Sequence, residues 1–70
     1  MNHLEDDMPL VEIHMLEGRT DAQKKALLDG VTDAIRDSLG VPLRSIRVWI
    51  QEFFPKDFMV AGKLYADRKI

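Results

Sequence analysis

The chain contains no cysteine, so neither a disulfide nor a thiolate metal site can brace it. Histidine is scarce as well. His3 and His14 have no partner at a ligand spacing, so a histidine-built metal site is not expected. Positive charge is not in excess: 10 Lys and Arg against 12 Asp and Glu leave a net charge of −2. Such a chain has no global field to draw in nucleic acid or an anionic membrane. No apolar run approaches the roughly 18–20 residues that cross a bilayer. The leading MNHLEDD is acidic and lacks the basic and apolar regions of a signal peptide. The expectation is a soluble cytoplasmic protein.

What is present is one small domain of 70 residues, of which 46% are hydrophobic. A core of this size rarely supplies more than ~3–5 kcal/mol without disulfides, metal or association. The first two are excluded above, so self-association is the expected source of stability.

Pro9 to Leu16 (PLVEIHML) alternates with period two, placing Val11, Ile13 and Met15 on one face and Leu10, Glu12, His14 and Leu16 on the other. That pattern predicts a strand, and proline is tolerated at a strand's first residue. A loop, EGRT, leads into a capping-box pattern between Thr20 and Gln23. Leu27, Leu28, Val31, Ala34, Ile35 and Leu39 then recur at three- and four-residue steps, the signature of an amphipathic helix. Gly40 and Pro42 end it, and Gly30 inside it suggests a close approach to the sheet. A second alternation begins at Ser45, with Ile46, Val48 and Ile50 on one face and Arg47, Trp49 and Gln51 on the other. Strand, helix, strand predicts a parallel βαβ unit with a right-handed crossover. The remainder, with Pro55 and Gly62, reads as a turn, a short hairpin and a polar tail. The expected class is α+β.

One helix covers one face of a two-stranded sheet. The second face carries Leu10, Leu16 and Trp49, with Arg47 among them, and leaving it in water costs ~25 cal/mol per Å² of apolar area. A subunit interface is the plain explanation for Trp49. An arginine buried there needs a carboxylate from the protein or an anion from outside. Arg19, taken alone, is an ordinary solvated loop arginine.

Taken in order, MPLVEIHMLEGRT, DAQKKAL, VPLRSIRVWIQE and FMVAGKL resemble the 4-oxalocrotonate tautomerase family, small tautomerases that use an amino-terminal proline. The resemblance runs from Pro9 to about Leu64 without a gap. It implies that Pro9 is the general base, its free secondary amine moving the proton. Arg19 and Arg47 match two arginines that hold carboxylates and polarise the substrate carbonyl. Phe58 matches an aromatic that keeps the pocket dry, and Leu16 and Val60 fall where apolar walls are expected. It further implies a small 2-oxo or 2-hydroxy acid as substrate, no metal or organic cofactor, a role in aromatic hydrocarbon catabolism, and a homohexamer built as a trimer of dimers whose subunits share sites. Relatives that hydrate and dehalogenate unsaturated acids use a carboxylate at the place of Val60. Valine cannot activate water, so hydrolytic dehalogenation is not expected.

The opening residues complicate this reading. An amide nitrogen has no lone pair available for protonation, and Pro9 follows Met8 in the chain. Residues 1–8 are therefore read as an extension: a misassigned start, an appended segment or a native plug. Residues 9–70 are read as the tautomerase-like domain. Removal of Met8 from a chain starting there exposes the amine and gives an isomerase. Retention of the extension gives an inactive oligomeric module. A third reading, with or without the extension, is a carrier that binds anions through Arg19 and Arg47 without chemistry.

Overall fold

The computed structural model describes residues 8–67; His3 and the end of the expected polar tail lie outside them. Strand β1 (Leu10–Leu16), helix α1 (Asp21–Leu39), strand β2 (Arg47–Phe53) and a hairpin of β3 (Met59–Val60) and β4 (Lys63–Leu64) follow in order, with single 3-10 turns at Leu43–Ser45, Pro55–Asp57 and Tyr65–Asp67. The α+β class and the βαβ order are as expected. β1 and β2 pair in parallel, with Leu10 opposite Arg47, Ile13 opposite Ile50 and Leu16 opposite Phe53.

Local chemistry sets the helix ends. The Thr20 side chain accepts from the Gln23 N–H at 3.1 Å, and the Gln23 side chain accepts from the Thr20 N–H at 2.9 Å. This capping box satisfies two of the amides that an α-helix start leaves unpaired. At the other end Gly40 adopts a left-handed φ of 69° and donates its N–H to the Arg36 carbonyl. An i,i+4 bond from Lys25 to Asp29 at 2.7 Å lies on the solvent side and raises the Lys25 pKa, chiefly through the hydrogen bond itself.

The strands follow the alternation. Val11, Ile13 and Met15 from β1, and Val48, Ile50 and Glu52 from β2, are half-buried. Lys24, Leu27, Leu28, Val31, Thr32 and Ile35 form the half-buried stripe of α1. Three readings of the helix and second strand are corrected. Ala34 is exposed at the edge of that stripe, and Leu39, though in step with Thr32 and Ile35, is exposed in the last turn, where nothing among the described residues covers it. Gly30 is exposed, and a Cβ there would meet nothing within 4 Å, so it marks no close approach. Ser45 belongs to a 3-10 turn rather than the strand, buried with its hydroxyl donating to the Pro42 carbonyl at 2.9 Å.

No hydrophobic side chain among the described residues is fully buried. Half-burial gives each residue on the order of 1 kcal/mol, against ~1.5–3 kcal/mol for full burial. The outer sheet face meanwhile leaves Leu10 64% and Trp49 41% exposed. This chain is a layer pair that lacks its second cover.

Candidate active site

β1 brings Pro9 to the start of the sheet. Its carbonyl accepts the Arg47 N–H at 3.0 Å, so the first residue of β2 lies beside it. The Arg47 guanidinium is on the outer face and exposed, its Nη1 donating to the Arg44 carbonyl at 2.7 Å. The expected buried arginine is thus in the open within one chain, with a carbonyl rather than a carboxylate as its partner.

The other proposed site residues sit at the far end. Leu16 closes β1, and Arg19 follows in the connection to α1. Leu16 pairs with Phe53, whose ring lies 4.9 Å from that of Phe58. Phe58 also stacks at 5.7 Å on Tyr65, and the Tyr65 N–H donates to the Phe58 carbonyl at 2.7 Å. Val60 is two residues further on, 40% exposed on the hairpin. Ala61 and Gly62 turn that hairpin with φ of 53° and 83°.

The chain therefore separates its candidates into two groups. Pro9 and Arg47 stand at one end of the sheet; Leu16, Arg19, Phe58 and Val60 gather towards the other. A seven-residue strand lies between them, which at ~3.3 Å per residue is about 20 Å. No small substrate bridges that gap, so one chain does not bring all of these candidates together.

A cavity of about 230 Å³ opens at the second end, lined by Met15, Arg19, Gln23, Lys24 and Leu27. Complete small-molecule sites run to ~300–1,000 Å³, so this cavity is smaller than such a site. Among the described residues Arg19 meets no carboxylate. Lys24 does: its Nζ lies 3.2 Å from Glu52 Oε1 and 3.8 Å from Asp21 Oδ1. Lys24 and Glu52 were not singled out from the sequence, although their positions signal the contact. Lys24 falls in step with Leu27, Leu28 and Val31, and Glu52 in step with Val48 and Ile50, so each points to the layer between helix and sheet. No group of three or more His, Cys, Asp or Glu among the described residues could hold a metal ion. No helix there is long and apolar enough to cross a membrane.

Comparison with known proteins agrees with this architecture. The 2-hydroxymuconate tautomerase of Pseudomonas putida is 46% identical over 55 residues, covering 79% of this chain and 87% of that protein. A probable tautomerase of Bacillus cereus is 44% identical over 61 residues, 87% of this chain and 100% of that one. Among solved structures, YwhB, a homologue of 4-oxalocrotonate tautomerase, superposes with a TM-score of 0.82 at 41% identity, covering 87% of this chain and 100% of its own. A heterohexamer 4-oxalocrotonate tautomerase from Chloroflexus aurantiacus gives 0.81 at 37% identity, covering 89% of this chain and 100% of its own. The family model described as tautomerase enzyme matches residues 9–68, and the chain belongs to that family as a tautomerase, an isomerase by reaction type.

Proposed function

We propose that this enzyme interconverts the enol and keto forms of a 2-hydroxydienoate or related 2-oxo acid, with Pro9 as general base once it is the amino terminus. The observation that carries this reading is the pairing of Pro9 with Arg47 across the two parallel strands. It brings the backbones of the proline and the arginine together at one end of the sheet, with the guanidinium on the outer face. The naming of relatives as 2-hydroxymuconate tautomerases supports the substrate class.

The reaction moves one proton between oxygen and carbon along a conjugated chain. Its base must be unprotonated for part of the time near neutral pH and must return what it takes. A secondary amine in water is too basic for that. Apolar walls and neighbouring cations both disfavour its charged form and lower its pKa. Arg47, beside Pro9, stabilises negative charge as it develops on the substrate oxygen. Arg19 holds the distal carboxylate, and Phe58, Leu16 and Val60 exclude water and strengthen both effects.

Because the two groups lie at opposite ends of one sheet, the complete site forms between copies. A two-fold neighbour brings its far end to this chain's Pro9, and further copies cover Leu10 and Trp49. A homohexamer arranged as a trimer of dimers meets both needs. Residues 9–70 are the working domain, acting in the cytoplasm without a cofactor.

The test compares protein starting at Pro9 with protein starting at Met1, following ketonisation of 2-hydroxymuconate by ultraviolet absorbance. The form with a free Pro9 amine is expected to be at least about a thousandfold faster, within the range that a positioned acid–base group supplies. Equal rates would remove the amine from the mechanism.

A further inference from the structure

Arg19 stands in the short connection between β1 and α1, and both ends of that connection are tied to consecutive residues of β2. At the first end the Glu17 N–H donates to the Phe53 carbonyl at 2.8 Å. At the second, Thr20 caps the helix, and Lys24, one turn on, donates from Nζ to Glu52 Oε1 at 3.2 Å. Among the described residues this is the one ion pair that joins α1 to the sheet. Its side chains are 26% and 30% exposed, so it is less screened by water than the helix-surface pairs. Lys24 and Arg19 line the same cavity.

We propose that Lys24 and Glu52 are positioning residues whose ion pair fixes where the Arg19 guanidinium stands, and that through Arg19 they set a preference for dicarboxylates over monocarboxylates. This rests on the reading of Arg19 as the ligand of a distal carboxylate. Arginine grips a carboxylate best through two parallel N–H donors, a geometry that tolerates little displacement. The connection is short, so moving the first turn of α1 relative to β2 moves Arg19 with it. Lys24 itself is already matched by Glu52, with Asp21 at 3.8 Å. The uncompensated positive charge of the cavity is therefore that of Arg19. Lys24 acts on a ligand by holding the helix start, not by adding a second free cation.

The two roles make opposite demands on Glu52. If Lys24 were a point charge for the ligand, Glu52→Gln would release it and tighten dianion binding. If the pair is a strut, Glu52→Gln weakens dianion binding, as Lys24→Met does.

Calorimetric titration with muconate and sorbate, which share a six-carbon diene and differ by one carboxylate, separates these cases. It is run on the full chain and on the chain beginning at Pro9, with oligomeric state checked by size-exclusion chromatography. Wild-type protein prefers muconate. Lys24→Met and Glu52→Gln each lower that preference by about tenfold, the scale of one charge-assisted hydrogen bond. Their effects do not add in the double variant, because one contact is lost only once. Lys24→Arg retains the preference, and reversing the pair with Lys24→Glu and Glu52→Lys restores part of it. Tighter muconate binding by Glu52→Gln overturns the proposal. So does equal loss of both ligands with dissociation, which is the mark of a structural role alone. If Arg19→Ala abolishes the preference while both pair variants keep it, the positioning role falls and the proposed function stands. If wild-type protein shows no preference, the reading of Arg19 falls first and takes the inference with it.

Discussion

The Arg47 N–H donates to the Pro9 carbonyl across 3.0 Å, so parallel pairing alone holds this arginine beside the first strand's entry. Its guanidinium is left on the exposed outer face, bonded to the Arg44 carbonyl. That carbonyl is its one partner among the described residues, and no carboxylate there neutralises the charged head.

Arg47→Ala is accordingly expected to lower kcat/KM by roughly 10²–10³, the range for losing one donor at a developing negative charge. The oligomer should persist, as seen by size-exclusion chromatography. Dissociation of the variant into single chains would assign Arg47 a structural job instead.

Trp49 stands opposite Glu12 on the uncovered face. Trp49→Asp places like charges across the strand pair and a carboxylate in the expected interface, both destabilising. Sedimentation should show smaller species. The wild-type melting temperature should rise with protein concentration, because association stabilises by mass action. A concentration-independent melt would argue for a chain that is stable alone.

Phe58 joins the end of β2 to the C-terminal turn through Phe53 and Tyr65. Phe58→Ala should cost roughly 2 kcal/mol, below the ~3–5 kcal/mol of a fully buried aromatic because this ring is half-buried. Phe58→Leu should cost less in denaturant melts yet still admit water to the site. A stability loss equal to that of the alanine variant would point to ring-specific packing.

Ala61 turns the hairpin at a φ of 53°, a conformation that costs a residue with a Cβ ~1–2 kcal/mol. Asparagine tolerates this region better than alanine, and asparagine followed by glycine is a favoured two-residue hairpin pair. Gly62 already supplies the second position. Ala61→Asn should therefore stabilise the protein by about 0.5–1 kcal/mol in thermal or chemical melts, part of that conformational cost. A loss of stability would show that the methyl group packs against a neighbouring copy.

The local features were readable directly. The β1 and β2 alternations placed Val11, Ile13, Val48 and Ile50 on the covered side, and Thr20 with Gln23 announced the helix start, because each depends on residues within one turn or one pleat. Gly30 and Leu39 misled for the complementary reason. A helical period fixes a direction, but whether anything stands in that direction is a matter of neighbours. Lys24 and Glu52 were legible in principle, as opposite charges on two facing stripes, yet the contact needs the helix and strand brought to a definite register.

The sequence by itself determined the secondary structure, the surplus of apolar surface and the family's set of proline, arginines and aromatic, since these are properties of residue type and spacing. Tertiary structure alone decided that Pro9 and Arg47 stand together while Arg19 and Phe58 lie a strand's length away. The physical reason is the parallel βαβ crossover, which aligns the starts of the two strands at one end of the sheet. The β1–α1 connection and the segment that follows β2 are then left at the other.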